Sequence, residues 1–226
     1  MIKELQQEIG EMAARTRALH PLVPSITNTV TVNFVANAQL AVGGSAAMVY
    51  LPDEGAWMAK IGAAMYINMG TLLPIYEETL PEVAKTLCEA GKPWVLDPVG
   101  MGIGALRTKI LRELQAYRPT ILRGNASEIL ALAHLWERTG ESAGFGVRGV
   151  DATDSVEAAQ PAAVALARWT GGAVAVSGAT DLVTDGRWIV RIAGGSHFFP
   201  LITGAGCSLG GVIAVYAAAG TPFVAA

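Results

Sequence analysis

Charged side chains are scarce in this sequence, where Asp, Glu, Lys and Arg make up 15% of 226 residues against 52% hydrophobic ones. So little charge on so much apolar chain implies that part of the surface is covered by another subunit, and an oligomer is expected. The 16 basic and 19 acidic side chains are mixed along the chain and leave a formal net charge of -3. No basic stripe is left for a phosphate backbone, which argues against nucleic acid as a partner. Cysteine is rare too: Cys88 and Cys207 form no metal-ligand pattern. A secretory leader is not expected, because MIKELQQEIGEMAARTRAL reads as an amphipathic helix, and the cytoplasm is the expected compartment. No Asp, Glu, Lys or Arg occurs from Gly194 through Ala226. A membrane span is still not expected, since Pro200, the TGAGC glycines and Thr221-Pro222 interrupt the run of about 20 apolar residues that a span needs. Two phosphate-binding signatures are also missing: GxxxxGK[ST], and the strand and acidic partner of the dinucleotide fingerprint.

What is present is a regular alternation. The β-like runs AAMVY (46–50), AMYINM (64–69), PWVLDP (93–98), PTILRG (119–124) and AVAVSG (173–178) are separated by segments of helical period. Helices are expected over 73–91, 125–140 and 153–172, each ending in glycine. Such alternation predicts parallel strands with crossover helices. After AVAVSG, two extended runs around Asp185-Gly186 predict a hairpin at the sheet edge. With no repeat or linker, residues 1–226 are expected to form one α/β domain. It would be a three-layer sandwich whose mostly parallel central sheet is flanked by helices.

Ligands collect at the carboxyl ends of parallel strands. Those ends carry Met48, Asn68, Asp97, Arg123-Gly124-Asn125 and Ser177. Asp97 follows the apolar run WVL, where its carboxylate could hold a magnesium ion or receive a proton, or simply close an Asx turn before Pro98. Asn125 and Glu128 have the spacing of a helix cap and its capping-box partner, and Arg123 offers a fork of donors suited to phosphate oxygens. TGAGC (203–207) opens the last helix: Thr203 to Gly206 are small enough to turn bare amides toward an anion, with the helix dipole behind them. Cys207, at the start of that helix, is either a partly ionised thiol lowered by the dipole or an inert buried one.

These motifs occur in one order: ITNTVTVNFVAN (26–37), GGSAAMV (43–49), INMGTL (67–72), LDPVGMGIG (96–104), ILRGNASEI (121–129), VSGATDLVTDG (176–186) and TGAGCSLG (203–210). In this the chain resembles the hydroxyethylthiazole kinases, thiamine-salvage members of the ribokinase-like superfamily. The resemblance implies that ATP phosphorylates the hydroxyl of 4-methyl-5-(2-hydroxyethyl)thiazole with Mg2+ present. It assigns Asp97 and Glu128 to an acidic pair at the phosphates and metal, and Cys207 to a position beside the reacting hydroxyl. Arg123, Ser177, Asn125, Thr203 and Gly206 fall to the nucleotide, and Met48, Gly204 and Asn28 to the thiazole. It also implies a homotrimer with sites at subunit interfaces, and further helices in relatives beyond the position of Ala226. Pro24-Ser25 and Phe34 depart from the family pattern in the region expected to shape the thiazole pocket, Val49-Tyr50 depart from it after Met48, and Ala205 departs from it in the TGAGC cradle. They leave open another hydroxyalkyl heterocycle as acceptor, or a non-catalytic ligand-binding homologue. Retention of Asp97, Arg123, Glu128 and the TGAGC loop speaks against the latter.

Overall fold

The computed structural model describes residues 2–139 and 155–226. Its strands are β1 (Leu22–Ile26), β2 (Ser45–Met48), β3 (Met65–Asn68), β4 (Trp94–Asp97), β5 (Ile121–Asn125), β6 (Ala173–Ser177), β7 (Thr180–Thr184) and β8 (Ile189–Ala193). Among the described residues these eight form one sheet in the order β2-β1-β3-β4-β5-β6-β7-β8. The first six run parallel, and β7 and β8 add the antiparallel edge hairpin expected from Asp185-Gly186.

Helices α1 (Ile2–Leu19), α2 (Val32–Ala41), α8 (Ala205–Ala217) and α9 (Pro222–Ala225) cover one face. Helices α3 (Pro52–Ile61), α4 (Tyr76–Glu89), α5 (Ala105–Leu114), α6 (Ala126–Leu135) and α7 (Val156–Thr170) cover the other. The strands are apolar on both sides because both sides are covered. Successive residues serve different cores: Trp94 and Leu96 of β4 pack with α4 to α7, whereas Val95 packs with α8. The three-layer sandwich is therefore as expected. Of the C-terminal stretch without Asp, Glu, Lys or Arg, residues 194–203 are exposed and Ala205–Ala217 form the largely buried helix α8; no helix among the described residues is long and apolar enough to cross a membrane.

Two features depart from the sequence reading, which names no strand at Leu22–Ile26 and runs a helix over 125–140. Strand β1 carries Pro24 in its middle yet lies between β2 and β3; its ladder to β3 registers only Ser25 with Tyr66 and Ile26 with Ile67, past the residue that has no N–H to give. Helix α6 stops at Leu135, short of the glycine expected to end it, which lies at position 140 outside the described residues. Here Glu137 takes φ 55°. Its amide donates to the His134 carbonyl at 3.1 Å, and the Arg138 amide to that of Ala133 at 2.7 Å. The paired bonds form a left-handed helix stop usually given to glycine. Trp136, whose indole N–H reaches the Leu111 carbonyl at 2.8 Å, anchors that turn.

Candidate active site

Strand alternation decides which side chains can meet. Tyr66 and Asn68 on β3, Asp97 on β4, Arg123 on β5 and Ser177 on β6 share the α8 side of the sheet, two residues on from Ala64, Val95, Ile121 and Ala175 of that core. Register then sets them level, with Asn68 opposite Asp97 and Asn125 opposite Ser177.

Asp97 is fully buried. Its Oδ2 accepts from Tyr66 Oη at 2.9 Å, Arg123 at 3.0 Å and Asn68 Nδ2 at 3.3 Å. Its Oδ1 has no partner. Arg123 spends its other terminal nitrogen on Ser177 Oγ at 2.7 Å, and its Nε is unpartnered. Burial pushes the Asp97 carboxyl above the ordinary carboxylate range, with Arg123, Tyr66 and Asn68 pulling it back. Burial works to lower the Arg123 pKa, but the charge of Asp97, with Tyr66 and Glu128 behind it, outweighs that and raises it, so the guanidinium stays charged.

Glu128 enters from α6. The capping box read from the sequence is present: the Glu128 amide donates to Asn125 Oδ1 at 2.9 Å, and Glu128 Oε2 accepts the Asn125 amide at 2.9 Å. Gly124 leaves room for it, since a Cβ there would stand 3.2 Å from the Glu128 Cβ. Burial and then Asp97 raise the Glu128 pKa, so the two carboxyls stand close enough to resist joint ionisation. No group of three or more His, Cys, Asp or Glu among the described residues could hold a metal alone. The unsatisfied Asp97 Oδ1 with Glu128 suits a magnesium ion that keeps water and phosphate oxygens as its remaining ligands.

Helix α8 brings the loop. Gly204 is its N-cap at φ 90°, a left-handed conformation, and a Cβ there would meet Thr31 Cγ2 at 2.7 Å and Phe34 at 3.2 Å. The expected cradle is narrower than Thr203 to Gly206, because the Ala205 amide donates to the Ile202 carbonyl at 3.2 Å. With no side chain capping α8, the first-turn amides of Gly206 and Cys207 are the candidate donors to an anion. Gly206 is pressed against Arg123, whose guanidinium lies 2.9 Å from where a Cβ would stand. For the thiol of Cys207 the structure favours the second of the two readings: burial, then Asp97, push its pKa up against the opposing pull of Thr31, Asn68 and Arg123, so it is neutral and not partly ionised.

Asp97, Glu128, Arg123, Ser177, Asn125, Gly206 and Cys207 thus form one cluster. Asn28, at the end of β1, accepts from Thr71 Oγ1 at 2.8 Å and adjoins Gly70. Met48 ends the edge strand β2 half-buried, packed against the core that includes Tyr66 and Cys207, and Thr203 is exposed ahead of the N-cap. Pro24 and Ser25 do not shape a pocket: both are buried inside β1, with the Ser25 hydroxyl in a hydrogen bond with Gln39. Phe34 does reach the site, through Gly204. Two contributors went unpredicted, Tyr66 and Arg107. Period-two spacing from Asn68 would have placed Tyr66 on the correct face. Arg107, whose guanidinium donates to the Val99 carbonyl at 2.7 Å and to that of Met69, holds the glycine loop after β4, and no motif marks it.

A mostly parallel sheet between helical layers, with an Asp–Arg pair at its strand ends facing a glycine-led helix, defines a ribokinase-like small-molecule kinase. Bacillus subtilis pyridoxal kinase, solved as an ADP complex, shares the fold at TM-score 0.62 and 17% identity, over 88% of this chain and 84% of that one. The chain belongs to the hydroxyethylthiazole kinase family, whose profile matches residues 13–225. The hydroxyethylthiazole kinase of Bifidobacterium longum subsp. infantis is 50% identical over 240 residues, covering 98% of this chain and 76% of that protein. That of Bifidobacterium adolescentis is 51% identical over 232 residues, with 98% and 79% covered. The Pyrococcus horikoshii OT3 hydroxyethylthiazole kinase structure aligns at TM-score 0.83 and 34% identity, over 96% and 79% of the two chains.

Proposed function

We propose that this chain, acting in the cytoplasm as one kinase domain, transfers the terminal phosphoryl group of ATP to the primary hydroxyl of 4-methyl-5-(2-hydroxyethyl)thiazole, with magnesium bound at Asp97 and Glu128. The observation that carries the reading is the buried, unpartnered Asp97 Oδ1 beside a charged Arg123 that lies against Gly206 at the start of α8. A bound magnesium ion would offset phosphate charge. Arg123, steadied by Ser177, and the amides of Gly206 and Cys207 receive the equatorial phosphate oxygens, while Asn125 holds Glu128 through the capping box. Thr203 belongs to the same nucleotide loop.

The alcohol lies between Asn28, Met48 and Gly204, its hydroxyl beside the Cys207 thiol. That thiol is neutral, so it positions the hydroxyl and does not strip its proton; a loose transition state with in-line oxygens makes little demand on a strong base. Family members are trimers by the resemblance, and a homotrimer suits the surface around β2. Phe34, Tyr50 and Trp57 are exposed on the elements around it, and Phe34 lies against Gly204.

The test is ADP release from ATP and magnesium with the thiazole alcohol, with pyridine and pyrimidine alcohols, and with no acceptor. Stimulation confined to the thiazole is expected. Stimulation by another alcohol reassigns the acceptor, and a protein that shows only ligand-dependent thermal shifts overturns catalysis.

A further inference from the structure

Tyr66 lies outside the roles assigned above, yet it is the most enclosed polar group of the site. Its ring is fully buried under α8, and its hydroxyl donates to Asp97 Oδ2 at 2.9 Å while accepting from Asn68 Nδ2 at 2.7 Å. Helix α8 makes room for it in one place. A Cβ on Gly210 would stand 2.4 Å from the ring and 2.6 Å from the hydroxyl, so no other residue type fits above the phenol. A glycine inside a helix costs about 0.5–1 kcal/mol relative to alanine, and here it admits a side chain whose polar end serves Asp97.

Three donors converge on one carboxylate oxygen and none on the other. A carboxylate held on one side only could rotate and present either oxygen. With Oδ2 taken by Tyr66, Arg123 and Asn68, rotation would break all three bonds at once. Arg123 cannot be counted on as a fixed holder, because it also faces Ser177 and the Gly206 loop, where phosphate oxygens compete for it. Tyr66, with nothing above it but helix, keeps its bond whether or not a nucleotide is present.

We infer that Tyr66 is a positioning residue for Asp97: it fixes Oδ2 so that Oδ1 alone faces the metal and the phosphates, and Gly210 is glycine to admit it. The inference rests on the metal-facing role proposed for Asp97. Groups that orient metal ligands typically change metal affinity by 10–100-fold when removed; with Asn68 and Arg123 still in place, the lower end is expected here.

The experiment is calorimetric titration of ADP into the wild type and Tyr66→Phe, with and without magnesium, alongside the magnesium dependence of the steady-state rate. Without magnesium the two proteins should bind ADP within about twofold of each other. With magnesium the variant should bind about tenfold more weakly and need about tenfold more metal for half its maximal rate, with its KM for the alcohol unchanged. A wild type that responds to magnesium and a variant that responds equally overturn the inference alone. A wild type whose ADP affinity is indifferent to magnesium overturns the metal role of Asp97 and the inference with it. Should Tyr66→Phe not fold, a crystal structure of the wild type with magnesium and ADP decides: one Asp97 oxygen on Tyr66 and the other on the ion is expected, and a carboxylate with neither oxygen on the Tyr66 hydroxyl sinks it.

Discussion

Glu128 is held by two backbone partners and still resists ionisation, because burial and the neighbouring Asp97 outweigh the Asn125 and Gly100 amides. Its folded pKa is raised above the unfolded value, so between the two the native state binds more protons than the unfolded one. Native stability contributed by this group is therefore largest below the ordinary carboxylate range and falls as pH rises through the raised pKa. Glu128→Gln keeps an N3 side chain able to accept the cap amide. In the absence of metal its Tm should exceed that of the wild type at neutral pH, at roughly 2–4 °C per kcal/mol recovered, and converge with it in acid. Scanning calorimetry across pH checks this; a variant less stable at neutral pH than at pH 4 relative to wild type would refute it. The same variant should lose most turnover. Cys207 gives the contrast: a neutral thiol in a reaction with little need of a base means that Cys207→Ala retains measurable turnover, whereas Asp97→Ala loses most of it. Steady-state kinetics ranking them the other way would reject both roles. Asp97, Arg123, Glu128 and Cys207 could be picked out of the sequence because they sit in motifs at strand ends. Tyr66 escapes such a reading: period-two spacing from Asn68 gives its face, but a tyrosine in an apolar strand looks like core until the register shows what lies beside it.

Each element does one positioning task. The capping box at α6 turns a helix start into a mount for a carboxylate, and Asn125→Ala should cost about 0.5–2 kcal/mol by urea titration while also reducing turnover. An unchanged rate would separate the cap from the site. The five strands expected from their apolar runs are present, because such runs bounded by Gly, Pro and Asp carry their own boundaries. Strand β1 does not announce itself: LVPSI has a proline at its centre, and only the shape of the sheet, with its ladder to β3 starting past Pro24, accommodates it. Helix α6 likewise ends by a left-handed Glu137, which no glycine signals. Both cases are tertiary contacts overriding a local code.

At the scale of the molecule, a chain with 15% charged residues leaves large apolar side chains in solvent on the flank formed by β2, α2 and α3. Trp57 is 62% exposed there. If that flank is the subunit boundary proposed above, Trp57→Glu should lower the mass seen by analytical ultracentrifugation from that of a trimer toward a monomer. Turnover should fall with it, since Met48 lies on the same edge. A trimer unaffected by the charge moves the boundary elsewhere. Composition alone pointed to a covered surface but could not say which, because exposed apolar residues become a patch only once the sheet edge is known.

The site residues from β3 to β6 reach one layer solely through the pleat. A one-residue slip of β4 would hand Asp97 to the layer of α4 and α5 and put Leu96 in its place at the proposed phosphate site. Partly ordered chains thus have no weakened version of this chemistry, and recovery of turnover during refolding should follow completion of strand pairing, not the earlier return of helical signal.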